Sequence, residues 1–148
     1  GRDAFLLASL GAEVILIERS PVIHGLLDEG LARAREAGGD VADVINHMTL
    51  LHGDARDLLP TLSPDVVLVD PMHPPRKKTA LVKNEMRLIR EIVGTDEDSI
   101  ELMNVALATA HKRVVLKWPK QADPMEGLRR ASHQIVGKST RYDVFMVS

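Results

Sequence analysis

The sequence predicts an α/β fold with a mostly parallel sheet, helices on both faces and an antiparallel hairpin at one edge. Short apolar runs that suit buried strands alternate with longer segments that carry apolar residues at helical spacing. Two short strand-like runs close the chain, and few polar residues separate them, which predicts the hairpin. A length of 148 residues fits one core, so we expect residues 1–148 to form a single domain.

The first half of the chain predicts elements with clear boundaries. Residues 3–10 predict a helix that stops at Gly11, and residues 13–17 predict a strand. Ser20-Pro21 is a typical helix start, because serine caps the helix and proline suits its first position, and Gly38-Gly39 predicts its end. The remaining elements are a turn or short helix over 41–46, a strand over 48–52, a short helix over 55–59 and a strand over 66–69.

The second half continues the alternation. Its predicted elements are a loop over 71–79, helices over 80–93 and 96–110, a strand over 113–117, a helix over 124–132, and strands over 134–137 and 142–147. A sheet of this kind needs a strand before Gly1, which the sequence does not contain. We therefore expect the chain to be the carboxyl-terminal part of a longer protein.

Composition excludes several classes of protein. No apolar run approaches the roughly 18 residues that span a bilayer, so no membrane helix is expected. The absence of Cys excludes disulfides and fits a reducing cytoplasm. Six His residues without metal-binding spacing predict no metal site. No Gly-x-Ser-x-Gly elbow and no Walker-type phosphate loop occur, which argues against serine hydrolases and P-loop enzymes.

Charge is divided unevenly along the chain. Residues 1–70 contain five Arg and no Lys against twelve acidic residues, a net charge of −7. Residues 71–148 contain fourteen basic residues against nine acidic ones, a net charge of +5. This division suits a small cationic or hydroxyl-rich ligand on one side and a polyanion on the other, although ordinary solvated faces would also produce it.

The most informative motif, Asp70-Pro71-Met72-His73-Pro74, follows the predicted strand over 66–69. Ligands of open α/β sheets bind at the carboxyl ends of the strands. Proline removes backbone donors and stiffens the turn, which leaves carbonyls free to accept hydrogen bonds. A carboxylate with free carbonyls can hold a planar amine, so we predict chemistry on an exocyclic amine such as that of a nucleobase. Asp70 and Pro71 are the predicted catalytic groups, and His73 would stack on the flat base.

Acidic residues follow three predicted strands. Glu18, Asp54 and Asp70 each come at the end of an apolar run, and the fold would bring such ends to one rim. Glu18 is placed to bind ribose hydroxyls, and Asp54 to accept from an adenine amine. Gly1 stands where a glycine-rich turn would let a helix approach that ligand. The set predicts a nucleotide-like site, whereas any one of these acids alone could simply cap a helix.

Basic residues lie just beyond the proline-rich motif. They are Arg76, Lys77 and Lys78 in the predicted loop, and Lys83, Arg87 and Arg90 on one face of the following helix. We interpret them as a grip for RNA phosphates beside a nucleobase pocket, with a solvated helix face as the alternative. Lys112, Arg113, Lys117 and Lys120 would extend this basic surface.

The order of these features resembles that of a class I S-adenosylmethionine (SAM)-dependent methyltransferase with a Rossmann-like sheet. The sequence Asp-Pro-Met-His resembles the Asp/Asn-Pro-Pro-Tyr/Phe motif of enzymes that methylate exocyclic amines. Nearly all of the chain resembles the bacterial 16S ribosomal RNA (guanine-N2)-methyltransferase family. The segments that carry this resemblance are Gly1-Arg2-Asp3-Ala4-Phe5, Glu18-Arg19-Ser20-Pro21-Val22, Asp70-Pro71-Met72 and, as the most specific part, Lys78-Thr79-Ala80-Leu81-Val82-Lys83-Asn84-Glu85-Met86-Arg87.

The resemblance implies SAM as cofactor and 16S ribosomal RNA or the small ribosomal subunit as partner, with no metal and no membrane. The residues that it implies for the methyl-donor site are Arg2, Asp3, Glu18, Arg19, Asp54, Ala55 and Asp70. His73 departs from the family, which usually has Phe there, so stacking on the guanine would be weaker or pH-dependent.

The sequence is also compatible with three other functions. The same motif would serve a methyltransferase for another amine, such as adenine N6 or a protein glutamine. A similar sheet would serve an oxidoreductase that binds a dinucleotide. The incomplete glycine-rich turn would also fit a non-catalytic RNA-binding module. The oligomeric state is open.

Overall fold

The computed structural model describes residues 2–71 and 96–147, which form two compact units, Gly1–Ala55 and Arg56–Ser148. The predicted helix over 80–93 and all of the predicted loop except Pro71 lie outside the described residues. Within the described residues, no helix combines the length and the apolar character needed to cross a membrane.

The first unit contains two parallel strands and three helices. Its elements are α1 (Arg2–Ser9), β1 (Val14–Glu18), α2 (Pro21–Ala37), α3 (Gly39–Ile45) and β2 (Met48–His52). The register pairs Val14 with Met48 at one end of the strands and Glu18 with His52 at the other. Strand β2 has the predicted bounds, and β1 lies one residue later than predicted.

Helix α2 begins and ends where the sequence predicted. Ser20 is its N-cap, and the Ser20 Oγ accepts a hydrogen bond from the Ile23 backbone N–H at 3.3 Å. Gly38 and Gly39 have φ of 70° and 71°, values that favour glycine because it has no Cβ. These two residues separate α2 from α3. The hydrophobic core of the first unit is built on three buried side chains, those of Ala8, Ile45 and Met48. Partly buried apolar residues pack against them, namely Ala4, Val14, Leu16, Leu31, Ala34 and Val44.

The second unit contains a four-stranded sheet. Its elements are α4 (Ala55–Leu58, which begins at the last residue of the first unit), a 3-10 turn (Leu59–Thr61), β3 (Val66–Val69), α5 (Asp96–Thr109), β4 (Arg113–Pro119), β5 (His133–Val136) and β6 (Thr140–Met146). The strand order is β3-β4-β6-β5. Strand β6 is antiparallel to both neighbours, so β5 runs in the same direction as β3 and β4. The predicted hairpin at the edge of the sheet is present.

One face of this sheet carries the core of the second unit. The register aligns Val67 with Val114 and then with Phe145, and it aligns Val69 with Leu116. All five side chains are buried. Helix α5 packs on β4 and contributes its own buried side chains, Met103 and Ala106.

The predicted helix over 124–132 is wrong. Residues 120–132, hereafter the crossover, form turns and irregular backbone between β4 and β5. Gly127 has a φ of 90°, which a right-handed helix does not allow. Partners in β6 hold the segment instead, because Ser132 N donates to Val144 O at 2.8 Å and the Arg129 guanidinium donates to Met146 O at 2.6 Å.

A buried ion pair fixes the start of the crossover. Arg141 Nε donates to Asp143 Oδ1 at 3.0 Å, and the two side chains are only 8% and 5% exposed. Arg141 Nη1 also donates to three carbonyls, those of Pro119, Lys120 and Ala122. Trp118 Nε1 donates to Asp123 O at 2.8 Å. The chain therefore leaves β4 along a path that side chains of the sheet determine.

Candidate functional site

Two predicted donor-site acids lie at the carboxyl edge of the two-stranded sheet. Glu18 is the last residue of β1 and pairs with His52, the last residue of β2. Gly53 N donates to Glu18 O at 3.0 Å, so Asp54 follows directly from a residue bonded to Glu18. The structure thus brings Glu18 and the Gly53-Asp54 segment together as predicted from strand ends alone.

The Glu18 carboxylate is held in place and can bind a hydroxyl group. Its Oε1 accepts the Ser20 backbone N–H at 3.1 Å, at the start of α2. Glu18 is half-buried, and no hydrogen bond to its Oε2 occurs within residues 2–71 and 96–147. One oxygen is therefore fixed by the helix start while the other can accept from a ligand. This arrangement fits the ribose hydroxyls of a nucleoside-bearing cofactor.

The other predicted donor-site residues surround these strand ends in sequence and have varied exposure. Asp3 lies in the first turn of α1 and is half-buried. Arg19 is exposed, Asp54 is half-buried, and Ala55 begins α4. Arg2 is the first residue of α1, and Gly1 lies outside the described residues.

A pair of histidines, His24 and His52, lies at the same edge and was not predicted from the sequence. The rings of His24 and His52 have centroids 5.0 Å apart. His52 Nε2 lies 3.3 Å from the Arg19 carbonyl oxygen and donates to it. The signal that could have identified His52 is its register opposite Glu18, immediately before Gly53.

Asp70 and Pro71 lie at the carboxyl edge of the four-stranded sheet. They follow directly on β3, whose Val67 and Val69 are buried. Lys117 Nζ lies 3.8 Å from Asp70 Oδ2, and the two side chains are 27% and 50% exposed. The ammonium attracts the carboxylate, and a carboxylate can accept hydrogen bonds at both of its oxygens.

Lys117 was predicted only as part of a basic surface, and its contact with Asp70 was missed. The two residues are 47 positions apart in sequence. The register of β3 and β4 pairs Val69 with Leu116, so the next residues on each strand are Asp70 and Lys117. Recognising β3 and β4 as parallel neighbours in that register would have identified the pair.

Several predicted residues lie outside the described part of the chain. They are His73 of the proposed base pocket and Arg76, Lys77, Lys78, Lys83, Arg87 and Arg90 of the proposed phosphate grip. Glu18 and Asp54 belong to the first unit and Asp70 to the second, so their convergence on one cleft stays a prediction. Across residues 2–71 and 96–147 no group of three or more acidic or histidine side chains could hold a metal ion.

The sequence matches the family described as "Putative SAM-dependent methyltransferase" over residues 1–147. The chain therefore belongs to the SAM-dependent methyltransferases, a class consistent with its α/β fold and with its acidic residues at the strand ends. The class and the cofactor predicted from the sequence are confirmed.

Two curated relatives show to which family of SAM-dependent methyltransferases the chain belongs. The chain is 68% identical over 147 residues to ribosomal RNA small subunit methyltransferase J of Agrobacterium fabrum. This match covers 99% of the chain and 71% of the relative. It is 70% identical over 146 residues to the protein of the same name from Brucella anthropi, again over 99% of the chain and 71% of the relative. Within its class, the family is that of ribosomal RNA small subunit methyltransferase J.

A solved structure supports the fold. A SAM-dependent methyltransferase from Neisseria gonorrhoeae superimposes on this chain with a TM-score of 0.77 at 35% identity. The match covers 98% of this chain and 60% of that one. The predicted α/β methyltransferase fold is confirmed.

Proposed function

We propose that this protein transfers a methyl group from SAM to the exocyclic N2 amine of a guanine in 16S ribosomal RNA. By their name, the relatives at 68% and 70% identity act on ribosomal RNA of the small subunit. The substrate would be that RNA, alone or in the small ribosomal subunit. A ribosomal substrate supports a cytoplasmic location for the reaction.

The observation that carries this proposal is the carboxylate of Asp70 at the end of buried strand β3, with Pro71 after it and Lys117 beside it. The guanine N2 nitrogen is a weak nucleophile because its lone pair is delocalised into the ring. A carboxylate that accepts one of its N–H bonds orients the nitrogen and stabilises the positive charge that develops on it. The Pro71 carbonyl would accept the second N–H bond.

Positioning is the main contribution that this chain would make. When bound, SAM supplies a methyl carbon that is already electrophilic, so no metal and no strong acid is needed. Holding the amine in line with that carbon can contribute about 7–11 kcal/mol to catalysis. The amine gives up one proton as it is methylated, and Asp70 Oδ2 or solvent would take it.

We assign the donor to the strand ends of the first unit. Glu18 would accept hydrogen bonds from the ribose hydroxyls through Oε2, and Asp54 would accept from the adenine amine. Arg2, Asp3, Arg19 and Ala55 would complete this part of the site, together with Gly1.

The RNA side of the site would consist of His73 and the basic segment after it. His73 would stack on the guanine once the base has left its helix, which costs a few kcal/mol. Phosphate contacts from Arg76, Lys77 and Lys78, and from Lys83 and Arg87, would offset that cost. We also propose that residues 1–148 belong to one methyltransferase domain, because the family match runs through both compact units.

The test is a methyl-transfer assay with labelled SAM on 16S RNA and on small ribosomal subunits that lack the modification. We expect Asp70→Ala to lose at least about 10²-fold in turnover, as when a charge-stabilising group is removed, and to keep most of its affinity for SAM. Asp65→Asn is the matched control, because Asp65 precedes the same strand at its other end and is exposed.

Mass spectrometry of the digested RNA identifies the product. N2-methylguanosine is the expected product, whereas N6-methyladenosine or a methylated glutamine would redirect the assignment to another amine. Near-normal turnover of Asp70→Ala would overturn the proposed role of the carboxylate. RNA binding without turnover in the intact wild-type protein would favour a binding module.

A further inference from the structure

Four cationic side chains gather at the amino-terminal edge of the four-stranded sheet. Lys112 and Arg113 stand at the start of β4, and Arg129 and Arg130 stand near the end of the crossover. The crossover returns to this edge because β5 runs in the same direction as β4. We call these four residues the basic edge.

Hydrogen bonds hold the two parts of the basic edge together. Arg129 Nη2 donates to Met146 O at 2.6 Å, and Met146 is the register partner of Arg113. The Arg129 guanidinium also lies over the Phe145 ring, 5.6 Å from its centroid. On the same edge Val147 N donates to Lys112 O at 3.0 Å. Arg129 is therefore bonded to the residue of β6 that pairs with Arg113, the first residue of β4.

None of these four cations forms an ion pair with a carboxylate in the part of the chain that the structure describes, and all four are exposed. Arg33, Arg56, Arg141 and Lys117 all have carboxylate partners. Asp65 lies next to the start of β4, because its backbone carbonyl accepts from Lys112 N and Arg113 N, but its carboxylate faces His111 at 3.9 Å. Glu126, in the crossover, is exposed and has no ion pair with the basic edge.

A pocket of about 770 Å³ adjoins the basic edge. Arg129 and Arg130 line it together with the polar side chains of Ser132, His133 and Gln134. Phe145 contributes an apolar wall, and Asp143, the acid on its wall, is neutralised by Arg141. A pocket of this volume is within the range that takes small ligands, so it can accept a nucleotide.

We propose that the basic edge is a second RNA-contact surface, which binds phosphodiester groups that flank the target nucleotide. The inference rests on the proposed function, because it takes RNA as the substrate. Unpaired exposed cations gain the most from phosphate, since they release counterions without first breaking an ion pair. The pocket beside them holds an adjacent nucleotide of the same strand.

The position of the basic edge determines which kinetic constant it controls. Arg113 begins β4 and Lys117, next to Asp70, lies four residues further along it, a distance of about 13 Å at the usual rise of a strand. RNA that touches both places extends well beyond the methylated base. Contacts at the basic edge are therefore equal in the ground state and the transition state, and they lower KM for RNA without changing kcat.

The test compares the wild-type protein with the double variant Arg113→Gln/Arg130→Gln, because neither side chain forms a hydrogen bond or an ion pair with another of the described residues. The control is Arg35→Gln, since Arg35 is an exposed arginine of α2 without an ion pair in the described residues. For each protein we would measure kcat, KM for 16S RNA, the dissociation constant for RNA from 50 to 200 mM salt, and SAM affinity by calorimetry.

We expect the double variant to raise KM for RNA roughly ten-fold and to reduce the slope of log affinity against log salt by about 2, one for each lost phosphate contact. Its kcat and SAM affinity should match those of the wild type. An active wild-type enzyme with an unchanged KM and slope in the double variant would overturn the second surface alone. A wild-type protein that binds SAM but does not methylate RNA would overturn the proposed function itself.

Discussion

At the scale of single residues, the contact with Asp70 suggests a role for Lys117. Its ammonium lies 3.8 Å from Asp70 Oδ2, yet both side chains are partly exposed, so the pair adds little to stability. Its value lies in orientation, because a carboxylate with a fixed partner presents its acceptor oxygens in one direction. We assign Lys117 as a positioning residue for Asp70.

Replacing Lys117 by Met should lower kcat by up to about 10²-fold, which is the effect of a misplaced reacting group. SAM affinity and unfolding free energy should change little, and Lys117→Arg should restore part of the activity because it keeps the charge. Steady-state kinetics with calorimetry would measure this. The assignment fails if Lys117→Met raises only KM for RNA, since that result would make Lys117 a phosphate contact.

At the scale of elements, the start of α2 contributes both to helix stability and to the proposed donor site. The Ser20 side chain caps the helix, while the Ser20 backbone N–H binds Glu18. The same short segment therefore has two tasks that different atoms perform. Substitutions can separate the two, because changing the side chain of Ser20 leaves its backbone N–H in place.

Ser20→Ala should cost about 1 kcal/mol of unfolding free energy, through loss of the cap, and leave SAM affinity nearly unchanged. Glu18→Ala should weaken SAM binding strongly, because the ribose acceptor is lost. Urea denaturation and calorimetry on both variants would measure these effects. Equal loss of SAM affinity in the two variants would show that the cap, and not the carboxylate, organises the site.

The elements also show what the sequence could predict. Strands β2 and β3 have the predicted bounds, because each is an apolar run between clear turn residues. Residues 124–132 of the crossover were predicted as a helix because their local composition allows one. In the structure, Arg129 and Ser132 form hydrogen bonds with β6, a strand that comes later in the sequence. Glu18 and Asp54 were placed from strand order alone, while the contact of Lys117 with Asp70 needed the register of two distant strands.

At the scale of the whole molecule, charge follows the two compact units. The first unit, residues 1–55, has four basic and nine acidic residues, a net charge of −5. The second, residues 56–148, has fifteen basic and twelve acidic residues, a net charge of +3. The proposed donor residues lie mostly in the first unit, and the proposed RNA contacts lie in the second.

Salt should therefore act differently on the two ligands. Raising salt from 50 to 200 mM should weaken RNA binding roughly ten-fold or more, because phosphate contacts release counterions. The affinity for SAM should change less than about two-fold, since the proposed hydrogen bonds to Glu18 and Asp54 would dominate it and salt screens mainly exposed charges. Fluorescence anisotropy would measure the affinity for RNA at each salt concentration, and calorimetry would measure the affinity for SAM. Equal salt dependence of the two affinities would contradict this prediction.

The guanidinium of Arg141 has a consequence for which substitutions the protein can accept. All three of its nitrogens are engaged, two with Asp143 and one with the carbonyls after β4. A lysine would keep the positive charge but offer a single nitrogen, so it could satisfy one side of this arrangement and not both. Charge conservation alone is thus no guide to tolerance at position 141, where the geometry of the donor fork decides which mutants fold.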